Sequence, residues 1–202
     1  MSKGLFTHSQ LTHSPIHNSL IHSLNHLYLI GLPASGKTTL GRQLAGYYGR
    51  EFLDLDHRIV AEAGQTIPEI FASEGEDGFR RREAAALAAV AHQPGRPLVV
   101  ATGGGTPCFF DNLAVLHASG FVLWLDVPLR ELQRRLARRN QAVTRPLLAA
   151  TATAATPQEA LADWLVRTHE ARAGFYSQAR LRHAGGPAAS VAAALEAAGF
   201  QP

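Results

Sequence analysis

The segment Gly31-Leu32-Pro33-Ala34-Ser35-Gly36-Lys37-Thr38 constrains the chain more than any other. It matches GxxxxGK[ST] in full, a pattern whose glycines let the backbone curl until its N–H groups point at phosphate oxygens. Such a loop works between a buried strand and a helix, because the helix adds the positive end of its dipole. Both flanks are present: Leu27–Ile30 is a short apolar run, and Leu40, Leu44 and Tyr48 recur at helical spacing. Lys37 would then reach the β- and γ-phosphates of a nucleotide, with the Thr38 hydroxyl on Mg²⁺. The only lysines are Lys3 and Lys37, all other basic positions being arginine. A lysine retained here strengthens that reading.

Beyond this loop, short apolar runs alternate with longer helical stretches, the pattern of a parallel α/β sheet. Strands are predicted at Leu27–Ile30, Glu51–Leu53, Leu98–Ala101, Phe121–Leu125 and, weakly, Arg180–His183. Phe79, Ala86, Leu87 and Val90 mark a helix face, and Pro128 and Pro157 read as first-turn prolines. Ala188–Ala198 reads as a last, alanine-rich helix. The stretch 140–156 is long, rich in small residues and without acids, which predicts a mobile functional loop.

With 202 residues, 46% of them hydrophobic, one domain with one substantial core is expected. No apolar run is long enough to span a bilayer, and no secretory leader is read at the N-terminus. The lone Cys108 excludes an internal disulfide framework and suits a reducing compartment, so a cytoplasmic protein is expected; a monomer is the default expectation. The net charge of +3 raises nucleic acid as a partner. Most of the excess, however, lies in Arg80–Arg82 and Arg130–Arg145, without interleaved aromatics, and arginine suits phosphate and carboxylate ligands equally well. No nucleic-acid or membrane partner is expected. Residues 1–26 stand apart: His8, His13, His17, His22 and His26 lie among polar residues. The i, i+4 pairs among them would suit a metal. A disordered extension with nothing to fix ligand geometry is the expected outcome.

Four further motifs carry chemistry. Asp54 and Asp56 lie two apart at the end of the second predicted strand, which would turn both carboxylates to one face. Asp54 would then serve Mg²⁺ and Asp56 would take a proton from a substrate hydroxyl; the alternative is a pair of acids capping the next helix. Gly103-Gly104-Gly105 follows a buried strand, implying either close approach of a ligand or a flexible turn. Arg80 and Glu83, three apart, would form an orienting pair, with Arg81 and Arg82 solvated. Asp126 ends a strand; a capping role is favoured over a metal role, since Val127-Pro128 looks like a helix start. The phosphate loop, the aspartate pair and the triple glycine all fall at carboxyl ends of strands, the edge where open parallel sheets place their ligands.

From about Leu27 onward the chain resembles the shikimate kinase family. The resemblance rests on GLPASGKTTLGRQLA, FLDLDHRI, GQTIPEIFASEGEDGFRRREAAAL, VVATGGGTP, TRPLL and ARAGFY, in that order. It implies a P-loop, three-layer α/β/α fold with a five-stranded parallel sheet over 27–202 and a lid near 140–156. It also implies an ATP- and Mg²⁺-dependent kinase acting on the shikimate 3-hydroxyl. By the resemblance, Gly31, Pro33, Ala34, Ser35, Gly36, Lys37, Thr38 and Thr39 bind the nucleotide, with Arg138 near adenine and Arg145 closing from the lid. Asp56, Arg80, Arg172, Gly103, Gly104 and Gly105 would bind shikimate, and Thr38 and Asp54 the metal. Lys37, Asp56 and Arg145 would be the catalytic groups. Gly174 departs from the family's usual proline, which would loosen the hold on Arg172. A related small-molecule kinase, such as a gluconate kinase, and a non-catalytic kinase-like regulator are the alternatives.

Overall fold

The computed structural model describes residues 26–93, 95–139 and 156–202. The N-terminal extension up to residue 25 and the expected lid, including Arg145, lie outside the described residues. Strands β1 (His26–Ile30), β2 (Glu51–Asp54), β3 (Leu98–Ala101), β4 (Gly120–Leu125) and β5 (Leu181–His183) form one parallel sheet in the order β2-β3-β1-β4-β5. The helices are α1 (Lys37–Tyr48), α2 (Leu55–Ala63), α3 (Ile67–Ala91), α4 (Asn112–Ser119), α5 (Leu129–Arg139), α6 (Pro157–Tyr176) and α7 (Ala188–Ala197). Among the described residues no helix is long and apolar enough to cross a membrane.

The expected three-layer α/β/α architecture is what forms. Successive strand residues face opposite sides of the sheet, so a strand covered on both sides must be apolar throughout. In β1, Leu27 and Leu29 join Leu40 and Leu44 of α1 with Val191 and Leu195 of α7. Tyr28 and Ile30 join the opposite core with Ile59 of α2, Leu87 of α3, Leu132 of α5 and Leu165 of α6. These side chains are at most 1% exposed, apart from Leu40 at 6%. Truncating a leucine so placed costs about 2–5 kcal/mol.

Four local features depart from expectation. His26 belongs to the fold rather than to the extension: it opens β1, fully buried, and its Nδ1 accepts the Leu98 N–H at 3.0 Å. The helix carrying Arg80, whose opening the sequence places at Phe79–Glu83, begins at Ile67 with a Thr66/Glu69 capping box and breaks at Gly75 (φ 71°) before resuming. Arg82 is not merely solvated, since it pairs with Glu74 across that break at 2.6 Å. Pro157 does occupy the first turn of α6. Pro128 instead precedes α5, its carbonyl accepting the Leu132 N–H.

Candidate active site

The loop between β1 and α1 curls through three left-handed residues, Gly31 (φ 137°), Ala34 (φ 62°) and Gly36 (φ 100°). At Gly31 the requirement is also steric, since a Cβ there would lie 2.6 Å from the Leu125 carbonyl oxygen. Lys37 is buried, its Nζ donating to the carbonyls of Gly31 (2.9 Å) and Leu32 (3.0 Å) and to Ser35 Oγ (3.4 Å). The ammonium therefore lies folded across the loop it serves.

The aspartate pair is arranged differently from the strand geometry expected. Asp54 ends β2 and caps α2, its Oδ1 accepting the N–H groups of Asp56 (3.1 Å) and His57 (3.4 Å). Asp56 consequently sits in the first helical turn, not on a strand face. Capping and site membership prove compatible, because Oδ2 of Asp54 still accepts the Thr38 hydroxyl at 2.7 Å. Two hard oxygen groups meeting at a helix start, one of them a carboxylate, form a donor set suited to Mg²⁺. The residues present thus fit the ion that the family resemblance implies.

A cavity of about 590 Å³ opens along the carboxyl edge of the sheet. It is lined by the expected Ala34, Ser35, Gly36, Lys37, Thr38 and Thr39, by Asp54 and Asp56, and by Gly104 and Arg138. Gln43, Thr102, Arg135 and the loop Ala184-Gly185-Gly186 also line it, unanticipated from sequence. Gly31, Pro33, Gly103, Gly105, Arg80 and Arg172 are not among its lining residues. Arg145 lies outside the described residues.

The three glycines explain how those outlying residues belong to the same site. A Cβ on Gly103 would collide with Glu83 Oε1 and approach Asp56 Oδ1 to 3.1 Å. One on Gly104 would come 3.1 Å from Pro33 and 3.3 Å from Arg172 Nη1, and one on Gly105 would come 2.7 Å from Arg80. Each glycine therefore admits a different member of the set Asp56, Arg172 and Arg80, so the close approach at this turn is that of the protein's own side chains. Arg80 is 4% exposed and rigidly held. Its Nη1 donates to Glu83 (2.9 Å), its Nε and Nη2 to Glu76 (3.2 and 2.9 Å), and its guanidinium stacks 4.2 Å above the Phe109 ring. Burial pushes the Glu83 carboxyl up, while Arg80 and the hydroxyl of Thr106 favour its charged form. The expected Arg80–Glu83 pair is present, inside the fold rather than on its surface.

Arg172 hydrogen-bonds the hydroxyl of Tyr176, one turn on, which itself donates to the Gly104 carbonyl. Burial raises the Tyr176 pKa above the usual tyrosine range, keeping the donor protonated. Helix α6 continues unbroken through Gly174, so this arrangement persists without the family's proline. Asp126 directly follows the end of β4 and pairs with Arg182 of β5 at 2.5 Å, and it is not among the residues lining the cavity. Cys108 lies near Arg80 and Arg172, and burial pushes its thiol up to about 11.

An all-parallel sheet with a GxxxxGKT cradle at its carboxyl edge defines the P-loop nucleotide-binding class. The model of the family described as shikimate kinase matches residues 33–195. A shikimate kinase of Synechococcus elongatus is 46% identical over 166 residues, covering 81% of this chain and 80% of that protein. The structure of shikimate kinase from Acinetobacter baumannii in complex with shikimate superposes with a TM-score of 0.71 at 36% identity, covering 88% of this chain and 93% of that one. Shikimate kinase from Bacteroides thetaiotaomicron gives 0.75 at 32% identity, covering 87% and 99%. The chain belongs to the shikimate kinase family.

Proposed function

We propose that the chain transfers the γ-phosphoryl group of ATP to the 3-hydroxyl of shikimate, yielding shikimate 3-phosphate and ADP. The observation that carries the reading is the triple-glycine turn, which brings a carboxylate (Asp56) and two arginines (Arg80 and Arg172) together beside the phosphate cradle. A compact hydroxy acid needs this set: a fork for its carboxylate and an acceptor for its hydroxyl proton.

Phosphoryl transfer asks a protein mainly for position and charge. Arg80 arrives pre-oriented by Glu76, Glu83 and Phe109, so little side-chain entropy is lost when it grips the carboxylate. Arg172, tied through Tyr176 to the Gly104 carbonyl, holds the acid's other side. These grips place the hydroxyl against Asp56, which orients it and takes its proton as the bond to phosphorus forms. Lys37 leaves the loop carbonyls to meet the β- and γ-phosphates. Thr38 and Asp54 would hold Mg²⁺, which supplies neutralisation of charge between the phosphates. Arg138 lines the cavity, and the family resemblance assigns it to the adenine side and Arg145 to the transferring phosphoryl.

The test is a coupled assay of ADP release from Mg-ATP with shikimate, with gluconate, and with no acceptor. Shikimate-dependent turnover is expected. Turnover on gluconate alone would discard the substrate and keep the fold, and ATP binding without turnover on either acid would point to a regulatory module.

A further inference from the structure

The phosphate loop bends at a residue that resists the bend, and an arginine from a distant helix bonds the carbonyls there. Ala34 occupies the left-handed region (φ 62°), where a Cβ crowds the following carbonyl and glycine would meet no such penalty. Arg135 reaches to it from α5. Its Nη1 donates to the carbonyls of Ala34 (3.1 Å) and Ser35 (3.3 Å), while its Nε donates to Glu131 at 2.7 Å. Hydrogen bonds from Arg134 and Arg135 push the Glu131 carboxyl down to about 2, so this anchor stays anionic at any working pH.

Clamping two successive carbonyls fixes two peptide planes, because each trans peptide turns its N–H opposite its C=O. The first plane aims the Ser35 N–H at the Leu32 carbonyl (3.3 Å), which closes the turn. The second aims the Gly36 N–H, at the residue immediately before Lys37. The guanidinium lines the same cavity as Lys37 and Thr38. A lysine could not replace it: one ammonium on a flexible stem lacks the planar fork that spans Glu131 and both carbonyls.

We propose that Arg135 is a positioning residue for ATP, bracing the strained Ala34–Ser35 turn so that the loop is held in its phosphate-binding form. This rests on the reading of residues 31–38 as the phosphate cradle. Arg135 acts through the loop backbone, and that distinguishes it from an arginine that simply touches the nucleotide. A backbone brace matters only while the backbone is strained. Relieving the strain with glycine at position 34 must therefore make Arg135 dispensable, whereas a direct contact would be lost regardless.

The experiment is a double-mutant cycle over Ala34→Gly and Arg135→Gln, with Lys37→Met as a control on the cradle itself. ATP affinity is read by titration calorimetry, and KM for ATP and for shikimate by the coupled assay. Arg135→Gln is expected to weaken ATP affinity about tenfold and to raise KM for ATP alike, leaving KM for shikimate within twofold. In the Ala34→Gly background the same change should cost less than about threefold. Equal losses in both backgrounds would overturn the brace in favour of direct contact. An unchanged ATP affinity in Arg135→Gln, or equal rises in both KM values, would overturn it as well. If Lys37→Met left ATP binding intact, the cradle reading itself would fall; if Lys37→Met weakened binding and Arg135→Gln did not, only the brace would fall.

Discussion

Gly105→Ala is a clean probe of the carboxylate grip, because it adds one methyl at the point where backbone and guanidinium touch. Gly105 has φ −97° and ψ −13°, an ordinary right-handed backbone, so alanine introduces no main-chain strain. Its Cβ, however, would lie 2.7 Å from both terminal nitrogens of Arg80. Non-bonded contacts settle near about 3.5 Å, so the guanidinium must retreat by roughly 0.8 Å. It has little freedom to do so between Glu76, Glu83 and the Phe109 ring. Overpacking of this kind costs about 1–3 kcal/mol of stability, at about 2–4 °C of Tm for each kcal/mol in a chain of this size. A guanidinium pushed out of register forfeits about one charge-assisted hydrogen bond to the substrate, worth about 1.5–3 kcal/mol. KM for shikimate should rise about ten- to hundredfold. Because the grip serves ground and transition states alike, kcat should change little, and KM for ATP should stay within twofold. Steady-state kinetics with each substrate varied in turn, alongside thermal denaturation, gives every quantity. A folded variant with unchanged KM for shikimate would refute the assignment of Arg80 to the acid.

Other expectations concern the remaining groups. Asp56→Asn should lower kcat by about 10²–10⁴-fold while calorimetry still records ATP binding, and near-normal turnover would remove Asp56 from the proton's path. Thr38→Val should raise the Mg²⁺ concentration needed for half-maximal rate; an unchanged Mg²⁺ titration would detach Thr38 and Asp54 from the ion. His26 offers a pH signature. Burial first, and then the charge of Arg50, lower its pKa below 6.5, and its Nδ1 must stay unprotonated to accept the Leu98 N–H. The unfolded chain therefore binds this proton more readily than the folded one, and stability should fall as pH drops below about 6.5. The slope from this one group is at most about 1.4 kcal/mol per pH unit, flattening once the folded form protonates too. Denaturant titrations of the wild type and His26→Asn from pH 7 to pH 5 should show a shallower acid limb in the variant; parallel limbs would contradict the assignment.

The parts legible in the sequence were those written in consecutive residues. Leu98–Ala101 was read with its boundaries intact, because a parallel strand buried on both faces is apolar without interruption and a glycine run follows it. The phosphate loop was legible because its glycines, lysine and threonine act through one short stretch of backbone. The second strand and its aspartates were read only in part. An extended pair with both carboxylates on one face is the expectation there, with helix capping as the alternative, and it is the alternative that forms: the Asp54 side chain captures two N–H groups and starts a helix. Whether the chain stays extended past an aspartate or turns into a helix depends on where it can pack, and Leu55 and Ile59, both buried in the α2 turns, decide it. The pairing of Asp126 is not legible locally for a related reason: its partner, Arg182, lies 56 residues away on the neighbouring strand.

The sequence alone therefore determined the class of fold, the phosphate-binding loop and the kinds of side chain available for chemistry, because periodicity and loop motifs are local properties of the backbone. The tertiary structure alone decided which of those side chains meet. The glycine turn brings Asp56, Arg80 and Arg172 from three helices to one place, Arg135 reaches a loop some hundred residues earlier, and Ala184–Gly186 joins the lining of the cavity. Such meetings depend on how the helices pack across the sheet, and no short stretch of sequence carries that information.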